Sequence, residues 1–250
     1  QGSQYPQMGK EIYDHIPEAK EVILHANDVL KQDFEQLIFQ GTKEQLTQTE
    51  NAQLAIFITS LMIQKAVESV THKKIDQLCH AVLGHSLGEY SALAASKALD
   101  IIDGLKLIKI RSNAMQKALP LGTSTMAAII GLDIQKVDEI IAQFQDPFRL
   151  CVIANDNSPE QIVISGHSES IEEAMHLAKE KGAKRALKLP VGGAFHSPLM
   201  QPASEELKVA IANTTFSTPV CPVYQNVNAY PQTEPEAIKQ NLIDQLTAPV

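Results

Sequence analysis

The sequence predicts an α/β protein in two parts. A large domain covers residues 1–122 and 192–250, and a small ferredoxin-like domain is inserted over residues 123–191. Three observations carry this reading. The short apolar segment "LCHAVLG" at residues 78–84 runs into a G-x-S-x-G spacing and then into "GEYSALAASKAL", a stretch of strong helix formers, which is a strand-turn-helix order. Residues 123–191 alternate between strand-like and helix-like patterns in the order β-α-β-β-α-β. Glycines punctuate both ends of that unit, Gly122 on one side and Gly192 with Gly193 on the other.

The elements follow in chain order. Residues 8–30 are amphipathic and read as helix, with a break or restart at Pro17. Thr47 and Glu50, three apart, form a capping box ahead of a helix over residues 51–70. That helix is apolar around most of its circumference, as a helix buried in a layered core is. Residues 78–84 fit a buried strand of a short parallel sheet. In the small domain, "MAAIIGL" at 126–132 is a strand, and residues 133–144 are a helix capped by Asp133. Strand-like "RLCVIAN", a turn at "DNSPE", strand-like "QIVISG", a helix over 168–181 and strand-like "RALKLPV" complete it. The large domain resumes at Ala194 with a helix over 198–213 and the strand "VCPVYQNV" at 220–227.

Composition excludes several functions. With 44% apolar and 20% charged residues over 250 positions, the chain can bury a large core, and wholesale disorder is excluded. Apolar runs such as "LAIFITSLMI" are too short to span a bilayer, so no membrane partner is expected. No secretory signal is visible, although the chain begins at Gln1 rather than Met. Cys79, Cys151 and Cys221 are scattered, odd in number and without C-x-x-C spacing, which points to a reduced, cytoplasmic setting and away from zinc. The histidines form no H-E-x-x-H pattern, so no metal is expected. A net charge of −8 argues against nucleic-acid binding. The basic stretch "KEKGAKRALK" at 179–188 reads either as a solvated helix end and turn or as a local patch for an acidic partner.

Ser86 is the residue to explain. A serine hydroxyl is a poor nucleophile until a base takes its proton. In an elbow, glycines permit the tight turn, and the following helix offers N–H groups to a developing oxyanion. The alternative is a serine that merely caps the helix. The base need not be near in sequence. His85 adjoins Ser86 but would point away across the turn, as a wall or support residue. His196, in "GGAFHSPLM", sits on a glycine-flanked loop ahead of a helix, where it can reach a cleft. No acid between Ser86 and His196 stands out at a large-domain strand end, so a dyad oriented by a backbone carbonyl fits better than a triad. Arg111 falls on an apolar helical stripe with Leu107, Ile108 and Met115. An inward guanidinium either snorkels or pairs with a structural carboxylate, or else it waits as a fork for a substrate carboxylate.

Taken together, "QGSQ" at 1–4, "GHSLGEYSAL" at 84–93, "IRSNAMQ" at 110–116, "AFHSPLM" at 194–200 and "YQNV" at 224–227 resemble the malonyl-CoA:acyl carrier protein transacylases of fatty acid synthesis. The resemblance covers essentially the whole chain. It implies a hydrolase-like large domain with an inserted ferredoxin-like small one. It also implies that Ser86 attacks the thioester of malonyl-CoA with His196 as general base and then acid. The backbone N–H groups of Gln1 and Leu87 would form the oxyanion hole. Arg111 would pair with the malonyl carboxylate, and the backbone carbonyl of Gln245 would orient His196. The thiol of holo acyl carrier protein then accepts the malonyl group in a ping-pong cycle. No cofactor is implied, and a monomer is expected. Phe195 before the histidine accompanies malonyl in related domains, where serine accompanies methylmalonyl. Family members begin with a strand and Pro-Gly ahead of QGSQ and continue past "QLTAPV", whereas this chain runs from Gln1 to Val250. Two other readings remain at this point: an acyl-thioester hydrolase or editing enzyme on the same fold, and a non-catalytic binding domain.

Overall fold

The computed structural model describes residues 2–120 and 122–250. In chain order come α1 (Lys10–His15), α2 (Pro17–Leu30), α3 (Phe34–Gln40), α4 (Lys43–Thr47), α5 (Thr49–Thr71), α6 (Ile75–Leu78), β1 (Val82–Leu83), α7 (Leu87–Ala95) and α8 (Ile101–Lys117). There follow β2 (Ser124–Ile130), α9 (Ile134–Ile141), β3 (Cys151–Ser158), β4 (Gln161–His167), α10 (Ser168–Glu180) and β5 (Arg185–Lys188). A 3-10 turn at Pro198–Met200, α11 (Gln201–Ala212), β6 (Val223–Tyr224), β7 (Pro231–Gln232) and α12 (Pro235–Asp244) complete the chain. Contacts divide it into two compact units: Gln1–Asn113 with Leu207–Leu242, and Ala114–Glu206 with Ile243–Val250.

The first unit is helical around one small sheet. Pro17 opens α2 at a position where its missing N–H costs nothing, and Ile16 before it is extended, which separates α1 from α2. The capping box lies one helix earlier than the sequence suggests. Thr42 and Gln45 form it at the start of α4. Thr47 is already inside that helix, so its hydroxyl donates back to Lys43 O at 2.7 Å, and α5 starts from Gln48 without a side-chain cap. By length and hydropathy α5 would also suffice to cross a bilayer, longer than the apolar run alone suggests, and half of its most apolar window is buried in the protein. Buried Phe57, Ile58, Leu61 and Met62 lie on it, together with buried Gln53 and Glu68.

The strand expected over 78–84 shrinks to Val82–Leu83. Leu78 closes α6, and Cys79 N–H still bonds Ile75 O at 3.0 Å, so the chain extends only afterwards. The strand is not buried throughout either, because Leu83 is 75% exposed. β1 pairs in parallel with β6, Val82 opposite Val223, and β7 adds antiparallel to β6. β6 is likewise shorter than the apolar run 220–227, which contains Pro222, a residue with no N–H for a ladder.

The second unit holds a four-stranded antiparallel sheet of order β3-β4-β2-β5, the ferredoxin-like arrangement. Asp133 caps α9 by accepting Lys136 N–H at 2.9 Å. Val137, Ile140 and Phe144 pack with Ala127, Ile129, Ile162 and Ile164 of the sheet and with Ile171 and Ala174 of α10. Full burial of each large apolar side chain contributes about 1.5–3 kcal/mol. The turn expected at "DNSPE" is tighter: β3 runs through to Ser158 with two irregularities of register, leaving Pro159 and Glu160 to reverse the chain. Val250 pairs with β3, accepting from Asp156 N at 2.8 Å and donating to Ala154 O at 2.9 Å.

Candidate active site

The elbow is built where β1 meets α7. Ser86 has φ 52 and ψ −103, a backbone conformation that costs a non-glycine residue about 1–3 kcal/mol. A Cβ on Gly84 would lie 2.0 Å from Gly88 O, so the strand end rests directly on the first helical turn and only glycine fits. Ser86 occupies the N-cap position, yet its side chain accepts no capping bond from α7, which removes the capping alternative. Leu87, buried, opens α7, and first-turn N–H groups of a helix have no partner within it. The positive end of the helix thus faces the serine. His85 is exposed beside it.

The strained serine is held by an amide that sequence reasoning did not single out. Asn226 Oδ1 accepts Ser86 N–H at 2.7 Å, while Asn226 Nδ2 donates to Gly84 O at 2.8 Å. This one side chain spans the turn from both sides. Asn226 is itself fixed by Glu89, whose carboxylate accepts Asn226 N–H at 2.9 Å and Gln225 Nε2 at 3.0 Å. Gln225 also accepts from Asn241 at 2.8 Å and donates to Ile238 O at 3.2 Å. Glu89 is fully buried on the first turn of α7, where a carboxylate complements both the helix dipole and these donors.

Arg111 points inward from α8 and is 1% exposed. Its Nη2 donates to Ser86 Oγ at 3.0 Å and its Nη1 to Gln53 Oε1 at 2.7 Å, with the guanidinium carbon 5.6 Å from the Tyr90 ring centre. It does not snorkel. Burial pulls the guanidinium below the ordinary arginine value, and Tyr90 and Glu89 oppose that shift. Burial also pushes the Tyr90 phenol above its ordinary value. A fork next to a nucleophile can grip a carboxylate two or three bonds from the atom under attack. Ser86 Oγ accepts from Arg111, so its own proton is the one that a base would take.

His196 lies in the second unit, buried, with φ 57. Ser197 Oγ donates to Ala194 O at 2.6 Å and tightens the loop around it. His196 Nδ1 sits 3.0 Å from Gln245 O and 3.2 Å from Ala248 O. Both partners are carbonyls and only accept, so Nδ1 carries the hydrogen and Nε2 of the neutral ring carries the lone pair. The structure therefore brings Ser86, Leu87 and Arg111 together in one unit, and His196 with Gln245 in the other. Gln1 lies outside the described residues. In the basic stretch, Lys181, Lys184 and Lys188 pair with Glu139, Glu160 and Glu172 at 2.6, 2.7 and 3.3 Å on the surface. Among the described residues no group of three or more His, Cys, Asp or Glu side chains could hold a metal ion.

Sequence reasoning used Glu89 only as context for the elbow and gave no role to Asn226, Gln225, Gln53 or Ala248. The available sign was polarity out of place: two amides closing an apolar strand, and a glutamine inside the apolar α5.

Comparison with known proteins agrees across the full length. The acyl transferase domain family matches residues 1–250. The malonyl CoA-acyl carrier protein transacylase of Bacillus subtilis (strain 168) is 42% identical over 251 residues, which cover all of this chain and 77% of that protein. The crystal structure of acyl-carrier-protein-S-malonyltransferase from Bartonella henselae superposes with a TM-score of 0.96 at 41% identity, covering 100% of this chain and 79% of that one. A malonyl-transacylase solved in complex with its type II PKS acyl-carrier protein superposes with a TM-score of 0.94 at 36% identity, again over 100% and 79%.

Proposed function

The chain belongs to the acyl transferase domain family, and from that premise we propose that it moves malonyl from malonyl-CoA to the phosphopantetheine thiol of holo acyl carrier protein through a malonyl-Ser86 intermediate. One observation carries the substrate class: a buried arginine whose guanidinium touches the nucleophilic hydroxyl. A hydrolase for neutral acyl groups has no use for that cation beside its serine. A dicarboxylic half-thioester does.

The chemistry runs in two matched halves. His196 Nε2 takes the Ser86 proton as Oγ attacks the thioester carbonyl. The oxyanion is met by the Leu87 N–H, with the Gln1 backbone N–H proposed as second donor. His196 then gives its proton to the departing CoA sulfur, leaving malonyl-Ser86. The carrier thiol reverses the sequence. Its proton goes to His196, its sulfur attacks the ester carbonyl, and Ser86 leaves with the proton from His196. The carbonyls of Gln245 and Ala248 hold the tautomer that makes Nε2 the working nitrogen and stabilise the imidazolium when it forms. Arg111 exchanges its bond to Ser86 Oγ for the malonyl carboxylate, which frees Oγ to attack as the substrate docks. We place the large catalytic domain at residues 1–122 and 192–250 and the small domain at 123–191. We further propose that the enzyme works as a cytoplasmic monomer, without nucleic-acid or membrane partners.

The test is intact mass spectrometry after brief exposure to malonyl-CoA, alongside Ser86→Ala, followed by a chase with holo acyl carrier protein. A malonyl adduct on the wild type alone, discharged onto the carrier, is expected. An adduct lost to water equally fast without the carrier makes the protein a hydrolase, and the absence of any adduct removes the covalent mechanism.

A further inference from the structure

Two thiols lie just ahead of the paired strands β1 and β6, and the transfer reaction uses neither. Cys79 lies three residues before β1, and Cys221 lies two residues before β6. These strands are parallel neighbours, with Val82 opposite Val223 and Val82 N–H bonded to Pro222 O at 2.9 Å. The end of α6 and the segment entering β6 therefore approach each other at the start of this strand pair. The thiols lie close enough that Cys79 bears on the ionisation of Cys221. Cys79 Sγ donates to Ile75 O at 3.3 Å, in the last turn of α6. Both are free thiols, Cys79 half-buried and Cys221 buried. Counting back from Val82 opposite Val223, Cys221 falls level with His80, the chain neighbour of Cys79.

We propose that Cys79 and Cys221 are a redox modification site, closing to a reversible disulfide when the protein meets hydrogen peroxide. The difference in burial sets the order of events. Burial pushes the Cys221 thiol up to about 11, with Cys79 adding to the shift, so Cys221 keeps its proton at neutral pH. Cys79 is the sulfur that a solvent oxidant reaches. Its thiolate attacks one peroxide oxygen, the O–O bond breaks, and the departing hydroxide takes a proton to become water, leaving a sulfenic acid on Cys79. The Cys221 sulfur then attacks that sulfur, the S–O bond breaks, and a second water leaves as the S–S bond forms. Two thiols and one peroxide give one disulfide and two waters. The sulfurs lose the two electrons that the peroxide oxygens gain.

The bond would tie together the two strands that lead to Ser86 and Asn226. Catching Cys79 at the disulfide also keeps it from the irreversible sulfinic and sulfonic acids. The third cysteine is an internal control. Cys151 sits alone in the other unit's sheet, fully buried, with its thiol pushed up to about 12 by burial.

The experiment treats the full chain with hydrogen peroxide, quenches with catalase, and reads intact mass, unreduced peptide maps and melting temperature. The expected result is a loss of about 2 Da per chain, reversed by dithiothreitol, in a peptide joining Cys79 to Cys221. The loss should vanish in Cys79→Ser and in Cys221→Ser. The oxidised wild type should melt higher than the reduced form, because the cross-link restricts the unfolded chain. Wild type that gains oxygen on Cys79 without losing hydrogen overturns the proposal. So does a bond through Cys151 or between two chains, or a mass unchanged by peroxide.

Discussion

Arg111→Ala separates the proposed role of the arginine in selectivity from a general role in the fold. In the structure the guanidinium is buried and divides its bonds between Gln53 Oε1 and Ser86 Oγ, against the face of Tyr90. With malonyl-CoA bound, it would meet the substrate carboxylate in the same dry setting. Removing one partner of a buried charged pair costs about 3–5 kcal/mol. At about 1.36 kcal/mol per tenfold, malonyl-enzyme formation should fall by about two to four powers of ten. Acetyl-CoA brings no carboxylate, so acetyl-enzyme formation should stay within a few-fold of wild type or rise. The fold should tolerate the change, since losing the Arg111 donor costs Gln53 about 1–3 kcal/mol, offset by relieving a desolvated cation. Arg111→Lys, with its charge but without the fork, should fall between the two. The assay is rapid-quench mass spectrometry of the acyl-enzyme with each thioester, next to a melting curve. If malonyl and acetyl transfer fall by the same factor in a folded variant, Arg111 acts on Ser86 itself and the carboxylate assignment is wrong. If malonyl transfer is undiminished, Arg111 has no role in the reaction.

Asn226→Ala removes both bonds that span the elbow and leaves the Ser86 N–H without that acceptor, a loss of about 1–3 kcal/mol. With φ at Ser86 no longer held, kcat should drop about 10- to 100-fold while KM for malonyl-CoA stays within about twofold, as when a transition-state interaction is lost. An unchanged kcat would show that the turn keeps its shape without the amide. The Tyr13 phenol is raised from 10.0 to about 12, first by burial and then by its 2.7 Å bond to Glu35. Its folded value lies above its unfolded value, so folding favours the protonated phenol. That contribution is whole below pH 10 and disappears as the pH rises to about 12. Urea midpoints across this window should therefore fall more steeply for wild type than for Tyr13→Phe. Parallel slopes would mean that Tyr13 does not couple to folding.

What was legible in the sequence was whatever is written locally. The elbow lies within a few residues, and the Gly84 backbone that touches Gly88 is part of the same motif. The ferredoxin-like order was legible because each of its elements keeps its own period, and the sheet then pairs them by hydrophobic register. Capping was less so. Thr47 and Glu50 have the right spacing, but the chain is already helical at Thr47, and whether a helix has begun depends on the turn before it. Strand lengths failed for a similar reason, since a helical turn reaching Cys79 and the missing N–H of Pro222 shortened two apolar runs that looked continuous.

The support of Ser86 was hidden for a different reason. Glu89 and Asn226 lie far apart in the chain, and their contact exists only because β1 and β6 pair in one register. A slip of one residue would turn Asn226 to the other face and leave the buried Glu89 carboxylate without that donor. Yet the need for such a partner was visible. Gln53, Glu89, Arg111 and Gln225 are all buried polar groups in apolar surroundings, and an unsatisfied polar group there costs more than its hydrogen bond returns. Each had to meet another polar group, and Arg111 was first singled out on that ground. Applied to every polar residue on an apolar face, the same test would have found the members of the network from sequence. Which of them pairs with which is decided by the register of two short parallel strands, and only the folded chain supplies that.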